Sequence, residues 1–165
     1  MFELKPLSRD AIPQALEKAH HYRLINEPAE AESICLDVLE VDPDNQQALV
    51  TLLLALTDRF TKGYAIGATK AKEVLPLLRD EYQRAYYAGL ISERQAKARL
   101  NQGGPGGGYD AYEWLREAMG WYEQAEAIRP AGNDDAVLRW NACARIIMRN
   151  NLAARTAEAG EPYLE

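Results

Sequence analysis

Ile34-Cys-Leu-Asp-Val-Leu-Glu-Val-Asp-Pro43, Gly67-Ala-Thr-Lys-Ala-Lys-Glu-Val-Leu-Pro76 and Trp121-Tyr-Glu-Gln-Ala-Glu-Ala-Ile-Arg-Pro130 superimpose when they are aligned on their prolines. Two places before the proline stands a branched apolar residue, Val41, Val74 or Ile128. Five places before it stands Val38, Ala71 or Ala125, and eight places before it Cys35, Ala68 or Tyr122. Residues three apart share one side of an α-helix, so these positions form one recurrent stripe that ends at a helix stop. Pro43 and Pro76 are 33 residues apart, whereas Pro76 and Pro130 are 54 apart, which is one such period plus about twenty inserted residues.

The rest of the chain supports helices throughout. Alanine, leucine, glutamate, glutamine, lysine and arginine dominate, and alternating valine, isoleucine and threonine runs bounded by turn residues are absent. Asp44 with Gln47 and Asp110 with Glu113 have capping-box spacing, Pro28 suits a first helical turn, and Asn26 and Gly63 suit helix stops. With the Gly103 to Gly108 breaker, these marks place helices near 9–25, 28–41, 45–59, 64–75, 78–101, 110–129 and 134–150.

The repeat resembles the tetratricopeptide repeat family, whose unit is a helix pair with small and aromatic residues at fixed places. Ile12 to Asn45 matches best, with Ala19 and Tyr22 on the first helix, Ala31 and Cys35 on the second, and Asp42-Pro43-Asp44-Asn45 closing it. The unit from Gln46 keeps Leu49, Leu53, Leu56, Ala65, Ala68 and Ala71, although Leu53 stands where the family prefers glycine or alanine. A third unit keeps Ala118, Tyr122, Ala125 and Pro130, and Trp140, Ala144 and Ile147 suit the first helix of a capping unit. The resemblance spans about residues 10–150. It implies an all-α solenoid of antiparallel helix pairs, with the whole chain as a single domain; residues 151–165, polar and with a glycine and a proline, read as a loose tail or a segment that folds against a neighbouring molecule. The inserted residues lengthen both helices of the third pair into a projecting hairpin. Ala85, Ala88, Gly89, Ser92 and Ala96 would let its arms approach closely, although Gly89 followed by Ser92 and Gln95 could equally break the first arm.

Composition excludes several classes. The 165 residues are 47 % apolar and 27 % charged, enough for one globular unit or a short repeat array. Ala48 to Leu56, the longest nearly apolar run, is far short of the roughly 20 residues of a membrane span. The amino end carries Glu3 and Lys5 without an apolar core behind them, unlike a secretory signal, so a cytoplasmic location is expected. Two cysteines cannot make a disulfide framework or a four-thiolate zinc site, and a net charge of −6 argues against nucleic acid as a partner.

No enzyme is identified. The segment Asn101 to Gly108 is rich in glycine, but it lacks the lysine and hydroxyl of a P-loop and follows no strand, so a hairpin tip is the simpler reading. Gly63, Gly67 and Lys70 echo such a loop even more weakly. His20 and His21 are about 100° apart on a helix and cannot easily share a metal ion. Cys35 and Cys143 occupy apolar helical positions, where cysteine is usually a small buried hydrophobe. The carboxylates are assigned to solvated helix faces. No catalytic residue, metal or cofactor is therefore expected.

Charge is segregated instead. Glu27 to Asn45 holds seven acids and no lysine or arginine, while Ala136 to Arg155 holds four arginines and no acid. On the helix after Asn133, Trp140, Cys143, Ala144 and Ile147 make the apolar face, with Arg139, Arg145 and Arg149 turned away from it. The first helices of tetratricopeptide pairs line a concave side, which by this resemblance selects His20, Arg23, Val50, Leu54, Thr57, Tyr87, Arg94, Arg145 and Arg149 as a partner groove. Arginine pairs two ways with carboxylates, so the expected partner is an acidic peptide or protein. The family's clamp for a terminal carboxylate is not carried over, because Leu16, His20 and Thr51 occupy its places. Tyr82, Tyr86, Tyr87, Tyr109, Tyr112, Trp114 and Trp121 suit packing, or a patch for self-association into a homo-oligomer. The leading expectation is a protein-interaction scaffold. The alternative is a regulatory domain sensing an anionic small molecule at the arginine-rich end, and an enzyme using Cys143 or the glycine loop comes third.

Overall fold

A computed structural model describes residues 1–62 and 64–156, apart from the side chains of residues 62 and 64–66. Among the described residues there are seven α-helices and no strand: α1 (Ile12–Leu24), α2 (Pro28–Val41), α3 (Gln46–Asp58), α4 (Tyr64–Val74), α5 (Glu81–Gln102), α6 (Gly107–Ala127) and α7 (Asp135–Arg149). Short 3-10 turns at Arg9–Ala11, Phe60–Lys62 and Leu75–Leu77 adjoin α1, α3 and α4. No helix among the described residues is long and apolar enough to cross a membrane.

Local chemistry explains most helix ends. Pro28 opens α2, where its missing N–H costs nothing. Asn26 sits between α1 and α2 with φ of 62°, a left-handed conformation that asparagine tolerates better than most residues. Two expected caps differ. Asn45, not Asp44, caps α3, its side-chain oxygen accepting the Ala48 N–H at 2.9 Å. Asp110 lies inside the first turn of α6, which begins three residues earlier, at Gly107, behind Gly106 with φ of 75°. The stop expected at Gly63 lies outside the described residues, as does the tail from residue 157.

The chain divides into two compact units, Met1–Arg84 and Ala85–Glu165. In the first, α1 packs on α2, α2 on α3 and α3 on α4, and α1 also reaches α3. Its core mixes small and branched residues, with Ala19, Ala31, Cys35, Val38, Ala48, Leu53, Ala55 and Ala71 fully buried. Small side chains at facing positions let the helix axes come close, so removing a methylene here leaves a void. Gln46 ties the end of this unit together: its amide donates to the Asp44 and Leu77 carbonyls, and its oxygen accepts the Arg79 N–H.

In the second unit α6 packs on α7, and α5 lies against α6 through Gly89, Glu93 and Arg99. α5 and α6, at 22 and 21 residues, are the longest helices, each roughly 32 Å at 1.5 Å per residue. α5 runs through Gly89 without a break. Ser92 and Gln95, which could have formed a cap, are buried in its middle instead. The proline-anchored stripe survives folding at two of its three levels. Cys35, Ala68 and Tyr122 are buried, as are Val38, Ala71 and Ala125, whereas Ile128 lies beyond the end of α6 and is exposed. The beginning of the expected tail is not loose. The Leu152 N–H donates to the Ile147 carbonyl, the Leu152 side chain lies beside Gly108, and Arg155 pairs with Asp110 at 2.7 Å while covering the Tyr109 ring.

Candidate partner-binding surface

The surface of α7 is decided inside the second unit. Glu93 on α5 is completely buried, with 0 % of its surface exposed. One carboxylate oxygen accepts the Tyr122 hydroxyl at 3.0 Å and the Cys143 thiol at 3.5 Å. The other lies 2.6 Å from the Lys97 ammonium and 3.6 Å from the Arg139 guanidinium. A buried carboxylate is tolerated only when its lone pairs are satisfied and its charge compensated, and four side chains from α5, α6 and α7 do so here.

Two of those partners, Arg139 and Cys143, belong to α7, and holding them on Glu93 sets how that helix is rotated. Its buried residues are Ala136, Cys143 and Ile146. Arg139 was expected to face away from the apolar side, yet it turns inward to the carboxylate. The buried arc is therefore turned by roughly 70° from the face that Trp140, Cys143, Ala144 and Ile147 would define at 100° per residue. Val137, Trp140, Ala144 and Ile147 remain only half-buried, and the Trp140 N–H donates to Glu123 at the surface. Next to this stripe Met148 is 66 % exposed, and Leu138, 62 % exposed, projects further round the helix.

Arg145 and Arg149 stand on the same exposed side, one turn apart. Among the described residues they and Arg116 are the arginines without a hydrogen bond or ion pair. The others are engaged: Arg59 with Glu32, Arg79 with Asp44, Arg99 with Asp110, and Arg129 with Glu126 and Asp134. Two unpaired guanidinium groups about 6 Å apart along a helix, flanked by exposed apolar side chains, form a surface suited to carboxylates on an apolar scaffold.

The other groove residues divide between the units. His20 is exposed on α1, and Val50 and Leu54 are half-buried on α3. Arg23 is closed onto Asp58 in a two-bond fork, Nε to Oδ2 at 2.7 Å and a terminal nitrogen to Oδ1 at 3.2 Å. Thr57 is core rather than lining: it is 3 % exposed and its hydroxyl donates to the Leu54 carbonyl. In the second unit Tyr87 packs edge-on against Tyr86, with ring centroids 5.1 Å apart, and Arg94 is half-buried.

The remaining chemical candidates are accounted for by packing. Burial, reinforced for Cys143 by Glu93, pushes both thiols up to about 12, so neither is a ready nucleophile at neutral pH. At the glycine-rich tip Arg99 donates to the carbonyls of Gly103 and Pro105 and to Asp110. A loop that turns carbonyls onto an enclosed cation has the opposite polarity to a phosphate cradle. No group of three or more metal-ligating side chains occurs among the described residues.

Sequence reasoning missed Glu93 because it assigned every carboxylate to a solvated face. One signal was present: Glu93 follows Ala85 and Gly89 at intervals of four, in line with the small residues that mark the packed side of α5. No family model, curated protein or solved structure matches the chain.

Proposed function

We propose that this chain is a non-enzymatic interaction module, built as a tetratricopeptide-like stack of helix pairs, whose partner is an acidic protein segment with apolar anchors that lies along the outer side of α7. The observation that carries this reading is the pair of arginines without a partner among the described residues, Arg145 and Arg149, beside exposed Leu138 and Met148. The repeat reading is supported by the burial of the matched small residues Ala19, Ala31, Cys35, Ala68, Ala118 and Ala125, and by the succession of packed neighbours from α1 to α4. Such stacks bury a core between adjacent pairs and leave helix faces open for partners.

The test uses a synthetic amphipathic helix of leucine and glutamate and its lysine counterpart as probes, titrated against the fluorescence of the chain's tryptophans. The acidic helix binds and the basic one does not. Replacing Arg145 and Arg149 with alanine weakens binding several-fold, in keeping with about 1 kcal/mol for two exposed ion pairs. Equal binding of both helices, or unchanged affinity in the double variant, overturns the reading.

A further inference from the structure

The exposed side of α2 carries the opposite pattern to that of α7. Leu36 is 51 % exposed there. Around it stand Glu30 and Glu40, both exposed, and half-buried Asp37. None of these three acids has a hydrogen bond or ion pair among the described residues, although their neighbour Glu32 is held by Arg59. At 100° per residue, Glu30, Leu36, Asp37 and Glu40 fall within about a third of the helix circumference. Asp37 and Glu40 are separated by about 4.5 Å along the axis and Arg145 and Arg149 by about 6 Å, so two carboxylates can meet two guanidinium groups. Each surface also offers an apolar side chain beside its charges, Leu36 on one and Met148 on the other.

From this match of charge, spacing and apolar anchors we infer that the partner of α7 is a second copy of the chain, which presents its α2. The inference rests on the reading of α7 as a docking surface. The two patches are different, so the contact is heterologous: every copy keeps one α2 and one α7 unsatisfied, and association runs head to tail into short chains or closes into a ring. The net charge of −6 opposes indiscriminate association and leaves this local match as the attractive element. A single helix-on-helix contact is small, so the assembly is weak and salt-sensitive.

Sedimentation of the full chain at rising concentration, up to on the order of 100 µM in low salt, tests this. The average mass rises with concentration and falls back in 0.5 M salt. Two variants separate the faces. Arg145→Ala with Arg149→Ala lacks the basic face, and Leu36→Ser with Asp37→Asn and Glu40→Gln lacks the acidic one. Each alone stays monomeric. Mixed, they form a one-to-one dimer and nothing larger, because only one complementary pair of faces remains. Circular dichroism of both variants unchanged from the parent excludes unfolding as the cause. A wild-type chain that stays monomeric in low salt, or variants that still self-associate, overturns the inference. If the wild type is monomeric but still binds the acidic leucine-glutamate helix, only the second-copy inference falls. If it binds neither, the reading of α7 falls as well.

Discussion

A β-carbon placed on Gly89 would lie 2.7 Å from Cε1 of Tyr122, closer than any unbonded carbon pair settles. The absence of a side chain at position 89 is what lets α5 lie flat on the tyrosine ring and brings Glu93, one turn further along, within reach of the phenolic hydroxyl.

Gly89→Ala is therefore destabilising although alanine is the better helix former. Relief of backbone entropy favours the variant by about 0.5–1 kcal/mol, whereas overpacking against a fully buried ring costs about 1–3 kcal/mol. Urea unfolding is expected to show a net loss of about 1–2 kcal/mol with an unchanged m-value. A gain in stability would mean that Tyr122 moves aside freely.

Removing the carboxylate of Glu93 leaves Lys97 and Arg139 without their counter-charge. Breaking a fully buried pair costs about 3–5 kcal/mol, but Lys97 and Arg139 are 42 % and 35 % exposed and regain some water, so Glu93→Ala should cost about 2–3 kcal/mol. Tyr122→Phe removes one hydrogen bond to the same oxygen. The two losses should be non-additive by about 1 kcal/mol in a double-mutant cycle, and strict additivity would argue against the shared network.

Both cysteines should resist a disulfide reagent such as dithionitrobenzoate at pH 8 in the folded chain and react fully, two per chain, once it is unfolded. Burial holds the thiols protonated and inaccessible, with values pushed up to about 12 against an ordinary value near 9. Fast native-state reaction of Cys143 would show that α7 opens from its carboxylate.

Asp110 accepts from Arg99 and Arg155, and these hydrogen bonds, that of Arg99 first, hold its carboxyl below the ordinary carboxylate range. A depressed folded value means that the stabilisation is complete above the unfolded value near 3.9 and is lost as pH falls through the folded one. The Arg155 contact should persist at pH 5 and release only under strongly acidic conditions, followed by the Tyr109 ring resonances that Arg155 covers. Release already near pH 5 would contradict the paired geometry. Asp110→Asn should loosen the segment at neutral pH and abolish the acid-dependent release.

The helices were legible because each leaves a local mark: Pro28, Asn26 and the proline-terminated stripes speak through periodicity and backbone preference alone. The cap of α3 was misplaced by one residue because Asp44 and Asn45 are adjacent and equally able to accept; only the bond to the Ala48 N–H distinguishes them. The rotation of α7 was not legible. Helical periodicity ranks residues by polarity, and by that measure Trp140 belongs inside and Arg139 outside. A single charge on α5, far away in sequence, draws Arg139 inward so that both residues end half-buried, and periodicity within α7 contains no trace of it. Arg145 and Arg149 were legible as surface arginines, but their lack of partners among the described residues became visible only once most of the other arginines were seen to be paired.

Glu93 thus works as a key seated in a lock: by engaging Arg139 and Cys143 it holds α7 in the rotation that leaves Trp140 only half-buried. Drift at position 93 toward leucine or methionine would leave a protein that still folds but wears a different exterior. Selection acting on what the outside touches would then be felt as selection on a residue no partner ever meets.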